Sequence, residues 1–455
     1  MPDLKTAAFR HAAHYLQVLD RLNDAFIQDG GNQADVLAQF DAELGNARLA
    51  QHWLFQASQT LSAEDIEADH FNHAIADLCN AYPDAAAYLL NAHLPPEERL
   101  RWVEQALSAS QKLGNDRTSQ AHLGNLGLAY SQQGELHQAL SCFEQALALA
   151  ENLGDEAHQS AWLGDLGNIH AALGEHRQAI QYQEKALALA KKSGHLRAEG
   201  HAAGNLGVSY AALGQHLSAQ RWYQQYLEIA RQTGDRRDEG LSLLNLGFTA
   251  FDLVQLDLAR EYLQQSLEIA QDLGNDDLQS LALGGLADIA IDQQEYEQAG
   301  GLLQEALESC RCAGDVMTEL RILGSLGNLH NASEKHAQAF LYYQQQAELA
   351  EKIGSAPHLC HAQINQVSLL RKEGRSEEAL SLAETAFALS RQIESLADEA
   401  FLNWQVGLIY ENLGQIKKAL AHLQSAVEYE IENNHPDAQK DLAHLNRLKG
   451  RVQAS

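Results

Sequence analysis

The sequence predicts an all-α protein in which paired helices repeat along the chain and stack into a solenoid. Three observations predict this fold. A short marker recurs at a constant interval, glycines divide each repeat in two, and apolar residues between the glycines follow helical spacing. The length agrees, because a single compact core rarely grows beyond about 250–300 residues and this chain has 455. Only six residues are proline, so few positions would interrupt a helix.

The marker is a Leu-Gly pair or a close variant of it. Its eight copies stand at residues 126–127, 166–167, 206–207, 246–247, 286–287, 326–327, 366–367 and 406–407. The step between copies never changes, so no insertion interrupts the array. We therefore predict eight repeats of equal length over 116–430.

Two series of glycines predict where the helices of each repeat end. One series recurs at the same interval as the marker, from Gly114 to Gly354, and an Asn or Asp often follows it, as Asp155 does. Glycine can take the left-handed conformation that ends a helix, and an Asn or Asp side chain can cap the next helix. The second series begins at Gly134 and lies in the middle of the repeats. Each repeat should therefore hold two helices joined by a tight turn.

The order of large and small residues within a repeat resembles that of the tetratricopeptide repeat. In the first repeat the resemblance is carried by Leu126, Gly127, Tyr130, Gly134, Ala139, Phe143 and Ala146. The 40-residue step and the Gly-Asn-Leu-Gly strings at 124–127 and 204–207 are similar to a longer variant of that repeat. This variant is found in Leu-Gly-Asn scaffold proteins and in the sensor arms of bacterial NB-ARC/STAND signalling ATPases. The resemblance implies a right-handed α-α superhelix whose first helices line a concave face.

The two ends of the chain lie outside the repeat frame. We predict an N-terminal helical cap over 1–80, a degenerate repeat over 81–115 and a C-terminal capping helix over 431–455. Pro436 breaks the array before that last helix.

The N-terminal region extends the resemblance to the signalling ATPases. The strings at 9–15 and 40–46 are similar to the segment that joins their nucleotide-binding and repeat regions. The sequence holds no GxxxxGK[ST] phosphate loop, however. The resemblance therefore implies a sensor arm without its ATPase.

Charge and composition argue against several classes of partner and location. The formal charge is −29, and such a surface repels nucleic acid and anionic membranes. No apolar run reaches the ~20 residues of a spanning helix, and the N-terminus lacks the features of a signal peptide. The five cysteines are irregularly spaced, which favours a reducing, cytoplasmic location.

No group of residues in the sequence predicts catalysis, a cofactor or a metal. His11 and His14 lack further ligands at a recognised metal spacing. Cys310 and Cys312 are two residues apart, and a helix does not direct such a pair toward one ligand. We therefore expect no enzyme activity, no cofactor and no metal, and we expect the partner to be a protein or peptide.

The first helix of each repeat holds the candidate binding residues. We number its positions so that Leu126 and Gly127 are the seventh and eighth in repeat 1. Positions two, five, six, nine, twelve and thirteen then share one face by helical periodicity. The resemblance implies that this face is the concave one, so a partner is expected there.

Asparagine recurs at position six, at Asn125, Asn205, Asn245 and Asn365, and Asp165 takes its place in repeat 2. An amide both donates and accepts hydrogen bonds, so it can hold the backbone of an extended peptide whatever the peptide's sequence. The alternative is that these amides bond within the array and stiffen it. Both interpretations remain open at this stage.

Glycine recurs at position five, in repeats 1, 2, 3, 5 and 6. A glycine inside a helix costs about 1 kcal/mol relative to alanine. Either close helix packing requires these glycines, or they leave backbone accessible to a ligand.

A candidate apolar patch interrupts the polar pattern in repeats 4 and 5. Its members are Leu241, Leu244, Phe248, Phe251, Leu281 and Ile291. Exposed apolar patches tend to be interaction sites. The alternative is burial against a neighbouring coil or against a second copy in a homo-oligomer. Together with Asn205 and Asn245, the patch predicts that binding centres on repeats 3 to 5.

Arg371, Lys372 and Trp404 are further candidates in repeats 7 and 8. The two cations are conspicuous in an acidic protein and could hold a carboxylate of a partner. The alternative for them is a solvated helix end.

The sequence as a whole predicts a scaffold or adaptor that binds a protein or peptide through the face of its first helices. The alternative is a detached sensor or regulatory subunit that acts in trans on a bacterial signalling ATPase or in a defence system. These two functions differ in the kind of partner they require.

Overall fold

The computed structural model of the chain describes residues 4–28, 33–85, 89–90, 94–393, 395–432 and 437–453. Within these ranges the chain forms 22 α-helices and no β-strand. In chain order the helices are α1 (Leu4–Gln28), α2 (Gln33–Gln59), α3 (Ala63–Ala68), α4 (His70–Ala85), α5 (Pro96–Lys112), α6 (Asp116–Gln132), α7 (Leu136–Leu153), α8 (Glu156–Ala172), α9 (His176–Ser193), α10 (Leu196–Ala212), α11 (His216–Thr233), α12 (Arg236–Asp252), α13 (Leu256–Leu273), α14 (Asp276–Asp292), α15 (Tyr296–Ala313), α16 (Val316–Ala332), α17 (His336–Ile353), α18 (Ala356–Lys372), α19 (Ser376–Gln392), α20 (Leu396–Asn412), α21 (Ile416–Glu432) and α22 (Ala438–Gln453).

Helices α6 to α21 form eight consecutive pairs, from repeat 1 (α6 and α7) to repeat 8 (α20 and α21). We call the first helix of each pair the A helix and the second the B helix. Every A helix packs against the B helix of its own repeat. The predicted all-α fold of repeated helix pairs is therefore confirmed.

The chain divides into two compact parts, residues 1–234 and 235–455, and each is described by itself. The N-terminal part contains α1 to α11 and so repeats 1 to 3. The C-terminal part contains α12 to α22 and so repeats 4 to 8. Within each part, every B helix also packs against the A helix of the next repeat. Neighbouring repeats therefore share their cores.

The turn between repeats follows the predicted sequence of helix stop and helix start. Gly154 ends α7 in the left-handed conformation, with φ at +67°. The side chain of Asp155 then accepts a hydrogen bond from the His158 amide at 3.2 Å and caps α8. In the C-terminal part, Asn275 caps α14 in the same way through the Leu278 amide at 3.0 Å.

The turn inside each repeat requires a left-handed residue even where glycine is absent. In repeats 4, 5 and 6 the position equivalent to Gly134 holds Val254, Gln294 and Glu334, with φ of 58°, 62° and 58°. A side chain with a Cβ is strained in this conformation, at a cost of roughly 1–2 kcal/mol per residue. The strain is greatest for the β-branched Val254.

The A and B helices of a repeat approach closely because position eight is small. A Cβ added to Gly127 would lie 2.8 Å from the ring of Phe143, which fills the space between the helices. In repeat 7 the large and the small residue exchange positions. Val367 takes the place of the glycine, Ala383 takes the place of the phenylalanine, and both are buried in one cluster.

The helices outside the repeats pack onto the array at both ends. In the N-terminal part, the Tyr82 phenol donates a hydrogen bond to the Ala12 carbonyl at 2.9 Å inside a core to which α1, α2, α4 and α5 contribute. In the C-terminal part, Leu445 and Leu448 of α22 are buried in one cluster with Leu423 of α21. The predicted break at Pro436 lies outside the described residues.

Candidate functional site

We define the A-helix face as the surface formed by positions two, five, six, nine, twelve and thirteen of the A helices. In the N-terminal part its sixth positions are Asn125, Asp165 and Asn205. Leu128 and Val208, at position nine, are exposed to solvent. The face of this part therefore offers both polar groups and accessible apolar side chains.

Packing explains the glycines at position five, with one exception. A Cβ on Gly204 would lie 2.9 Å from the ring of Tyr226, and the equivalent glycines of repeats 1, 5 and 6 also meet a side chain closer than 3 Å. Gly164 of repeat 2 is different. It is partly exposed, and no side chain lies within 4 Å of its Cβ position. A hollow is left beside it, since Ala186 stands where Tyr226 stands in repeat 3.

The side-chain amides of the asparagines at position six lie outside the hydrogen bonds of the described array. No described residue forms a hydrogen bond with the side-chain amide of Asn125, Asn205, Asn245 or Asn365. We call these four the ladder amides. Asn125 is exposed and the other three are partly exposed. The contacts therefore disfavour the alternative in which the ladder amides stiffen the array.

Asp165 replaces the ladder amide of repeat 2 with a carboxylate. It is partly exposed, and no described residue donates a hydrogen bond to it or forms an ion pair with it. Burial raises the pKa of Asp165 to about 6. A carboxylate perturbed in this way and lacking a counter-ion is a candidate for a functional role.

A small cavity of about 130 Å³ opens beside Asn125 in the N-terminal part. Its lining is mostly apolar and includes Pro83, Leu90, Leu100, Val103, Leu128 and Ala129. At its rim, the Arg99 guanidinium donates a hydrogen bond to Gln132 Oε1 at 3.0 Å. The cavity is suited to one apolar side chain. The repeat frame does not predict this cavity, because its walls come from α4, α5 and α6, and α4 and α5 lie outside the frame.

The members of the predicted apolar patch, which lies in the C-terminal part, differ in their exposure to solvent. Leu244 is only 4% exposed and belongs to the core, so this member of the patch is inaccessible to a partner. Four partly exposed members rest on the same buried cluster: Leu241, Phe248, Phe251 and Leu281. Ile291 rests in the same way on the neighbouring cluster. The patch is therefore a half-buried ridge and not a fully exposed surface.

Phe248 is paired with a charged residue that the sequence analysis did not single out. The guanidinium carbon of Arg321 lies 5.2 Å from the centroid of the Phe248 ring, within the range of a cation–π attraction. Burial lowers the pKa of Arg321 and raises the pKa of Asp288, while the attraction between the two charges opposes both shifts. The Ser325 hydroxyl donates a hydrogen bond to Asp288 at 3.0 Å. The periodicity places these residues on one face, but it does not predict their contacts.

Arg371 and Lys372 lie at the end of α18, and each donates a hydrogen bond to an amide. Arg371 Nε donates to Gln405 at 2.7 Å, and Lys372 Nζ donates to Asn331 at 3.2 Å. Neither forms an ion pair with a described carboxylate. Burial lowers the pKa of Arg371. Arg371 is therefore a half-buried cation without a counter-ion in the described part of the chain, and its predicted role toward a partner carboxylate stays a prediction.

Trp404 packs beneath the last helix. Its ring lies 5.7 Å from that of His444 of α22, and it contacts the buried cluster that contains Leu445 and Leu448. Trp404 nevertheless stays partly exposed, so its predicted role in binding stays a prediction. The neighbouring Phe401, at position two of the same A helix, is exposed. Because Phe401 occupies a position of the A-helix face, the repeat frame alone could have identified it as a candidate.

The predicted binding centre in repeats 3 to 5 includes residues of both compact parts. Asn205 belongs to the N-terminal part, whereas Asn245 and Phe248 belong to the C-terminal part. We therefore treat two candidate surfaces separately. The N-terminal surface comprises Asn125, Gly164, Asp165, Asn205 and the cavity beside Asn125. The C-terminal surface comprises Asn245, Phe248, Arg321, Asn365 and Arg371.

In the described ranges, no three His, Cys, Asp or Glu side chains are grouped so as to hold a metal ion. None of the helices in those ranges combines the length and apolar character needed to cross a bilayer.

Two family models match the chain, and both describe a tetratricopeptide repeat. One gives four overlapping matches, at residues 117–192, 158–232, 198–272 and 238–311, and the other matches residues 402–430. No curated protein sequence matches the chain.

The fold is similar to that of several solved structures. The apo form of the quorum sensor NprR from B. thuringiensis is 14% identical, with a TM-score of 0.54 over 85% of this chain and 99% of that one. A Signal Transduction ATPase with Numerous Domains (STAND) from Pyrococcus horikoshii, which has a tetratricopeptide repeat sensor, is 14% identical. Its TM-score is 0.53, over 84% of this chain and 57% of that one. Aspartyl phosphate phosphatase F from Bacillus subtilis is 12% identical, with a TM-score of 0.52 over 88% of this chain and 96% of that one. At these identities the likeness establishes the fold alone.

Proposed function

Because residues 117–311 and 402–430 match tetratricopeptide repeats, we propose that the chain is a scaffold or adaptor that binds a protein or peptide along its A-helix face. The ladder amides carry this proposal. No described residue hydrogen-bonds to any of the four, so they contribute little to the stability of the fold. The same amides can pair with both the N–H and the C=O groups of an extended peptide.

The side chains near the ladder amides complement such backbone contacts. In the N-terminal part, Leu128 and Val208 offer exposed apolar contacts. In the C-terminal part, Phe248 offers a half-buried aromatic ring, and Arg371 offers a cation that no described carboxylate pairs with. Aromatic and arginine side chains are enriched among the residues that dominate binding energy at interfaces.

The test starts from the purified chain as bait, with mass spectrometry of the proteins that it retains and titration of the partner identified. Asn205→Ala should weaken the affinity for that partner about 5- to 10-fold, because the hydrogen bonds that it loses contribute roughly 1–1.4 kcal/mol. The melting temperature should not change, because the amide has no hydrogen-bond partner among the described residues. Asn152→Ala, at an exposed position of the B helix α7, is the matched control and should alter neither quantity. Unchanged affinity in single alanine variants of all four ladder amides would contradict the proposal.

We propose as the second candidate a detached sensor that acts in trans on a signalling ATPase or in a defence system. The likeness of the fold to a STAND protein with a repeat sensor favours this candidate. The partner retained by the bait should then carry a phosphate loop, and its rate of ATP hydrolysis should change when the chain is added. Asn205→Ala should diminish that change. A partner that neither binds nor hydrolyses nucleotide would exclude the second candidate and leave the first.

A further inference from the structure

We propose that the N-terminal surface selects partners that carry a lysine or arginine, whose side chain enters the hollow beside Gly164 and pairs with the Asp165 carboxylate. This inference rests on the proposed peptide-binding function and adds the chemistry that one surface recognises. All of its residues lie in repeats 1 to 3, within the N-terminal part.

The space for the incoming side chain results from small residues around Gly164. In repeat 1 the ring of Trp162 fills the equivalent space, and in repeat 3 the ring of Tyr226 fills it. The residues that correspond to these two rings around Gly164 are Ala202 and Ala186, and both are buried. The hollow is therefore specific to repeat 2. It opens to solvent, because Gly164 is partly exposed.

The carboxylate beside this hollow has no counter-ion among the described residues. The nearby Gln183 donates its side-chain amide to the Gly164 carbonyl at 2.9 Å and to Asn168 Oδ1 at 3.0 Å. Nothing described donates a hydrogen bond to Asp165. Its pKa of about 6 leaves it mostly ionised at neutral pH. A lysine or arginine would supply the missing charge and donate hydrogen bonds to the carboxylate oxygens.

The cavity beside Asn125 provides a place for a second side chain of the same partner. This cavity of about 130 Å³ is lined mainly by apolar residues. It adjoins the A helix of repeat 1, and the hollow adjoins the A helix of repeat 2. Packed helices lie about 8–10 Å apart, and an extended peptide advances about 3.3 Å per residue. If the cavity and the hollow are one to two helix spacings apart, roughly three to six residues of an extended peptide span the distance between them. The partner should therefore carry an apolar residue roughly three to six positions from its basic residue.

The experiment is a selection from a random displayed peptide library on the full chain at neutral pH and physiological ionic strength. Wild type, Asp165→Asn and Glu184→Gln are used in parallel. Glu184→Gln is the matched control, since it removes one charge from the same repeat at an exposed position of the B helix. Wild type and Glu184→Gln should enrich peptides with the expected basic and apolar residues. Asp165→Asn should enrich peptides without a preference for lysine or arginine.

Titration of the best wild-type peptide measures the contribution of the charge. Asp165→Asn should weaken its binding about 10- to 100-fold, the range expected for a hydrogen bond between charged groups. Replacing the basic residue of the peptide with methionine should weaken its binding to wild type by a similar factor. Gly164→Ala should also weaken binding, because its Cβ occupies the hollow, while the melting temperature stays the same or rises.

Each contrary outcome has a distinct meaning. Equal binding of the peptide by wild type and Asp165→Asn would overturn the inference. An equal loss with Glu184→Gln would also overturn it, because general attraction to a chain of charge −29 would then explain the binding. Enriched peptides that lack a basic residue would overturn the inference and leave the proposed function intact. If none of the three proteins enriched any peptide, the inference would fall together with peptide binding itself.

Discussion

The ring of Phe248 in repeat 4 stacks under the guanidinium of Arg321 in repeat 6, with 5.2 Å between the ring centroid and the guanidinium carbon. The same ring also rests on the A helix of repeat 5, because a Cβ added to Gly285 would lie 2.9 Å from it. Phe248 thus contacts two further A helices. It therefore contributes to the fold as well as to the C-terminal surface.

Phe248→Ala should weaken partner binding by roughly 30-fold, or about 2 kcal/mol, if Phe248 is an aromatic anchor of the interface. Its half-buried ring should cost less free energy of unfolding than the ~3–5 kcal/mol of a core phenylalanine. Phe143→Ala, at a residue only 1% exposed, should cost the full amount. Partner affinity and melting temperature measured for both variants check this prediction. Unchanged affinity with a large loss of stability for Phe248→Ala would show that Phe248 is purely a core residue.

Val254→Gly should stabilise the protein by about 1 kcal/mol, because it relieves a β-branched residue held at a φ of 58°. Part of the gain is offset by the greater freedom of glycine in the unfolded chain. Gly214→Val places a valine at the equivalent turn of repeat 3, where φ is +70°, and should destabilise by a similar or larger amount. Denaturant unfolding measures both effects. A Val254→Gly variant less stable than wild type would contradict the strain assigned to this turn.

Gly127→Ala and Gly164→Ala should change stability in opposite directions. The Cβ of the first would lie 2.8 Å from the buried Phe143 ring, so overpacking should cost about 1–3 kcal/mol. The Cβ of the second meets no side chain within 4 Å, so the higher helix propensity of alanine should add up to about 1 kcal/mol. Thermal unfolding compares the two variants. A loss of stability for Gly164→Ala would mean that the hollow is not open.

The stability of the fold should depend on pH through Asp165. Burial raises its pKa from 3.8 in the unfolded chain to about 6, so the native state binds more protons between these values. This site's contribution to stability therefore falls as pH rises from 3.8 through about 6. Asp165→Asn removes the free-energy cost of burying the ionised carboxylate. With allowance for solvent screening, the variant should be more stable than wild type by roughly 1 kcal/mol at neutral pH. Below about pH 4, where Asp165 is protonated in both states, the difference should be small. A difference in melting temperature that does not vary with pH would contradict the raised pKa.

Much of the fold was predictable because the repeat encodes it locally. The contact of Gly127 with Phe143 follows from two positions in one repeat, and the cap formed by Asp155 follows from one turn. Such short-range features recur from one repeat to the next, so the periodicity predicts them. Even Val254 adopts the left-handed conformation that the glycines of other repeats require.

The candidate site was less predictable because it depends on contacts between repeats. Position on a helix face did not reveal that Leu244 is buried, since its burial depends on its neighbours in three dimensions. The contact of Trp404 with α22 was not predictable either, because that helix does not follow the repeat frame. The hollow beside Gly164 arises because two alanines replace the aromatic residues of neighbouring repeats. Since the repeat pattern allows either residue type at these positions, it does not predict the hollow.

Binding on the A-helix face is tested most directly by two matched substitutions in repeat 3. Val208 on the A helix α10 is 46% exposed and Leu217 on the B helix α11 is 63% exposed, so arginine at either position should leave the melting temperature unchanged. The measurement is the affinity of the identified partner for Val208→Arg and for Leu217→Arg. Val208→Arg should weaken binding at least about tenfold, or ~1.4 kcal/mol, and Leu217→Arg should leave it unchanged. Equal affinities for the two variants, or a loss confined to Leu217→Arg, would contradict binding on the A-helix face.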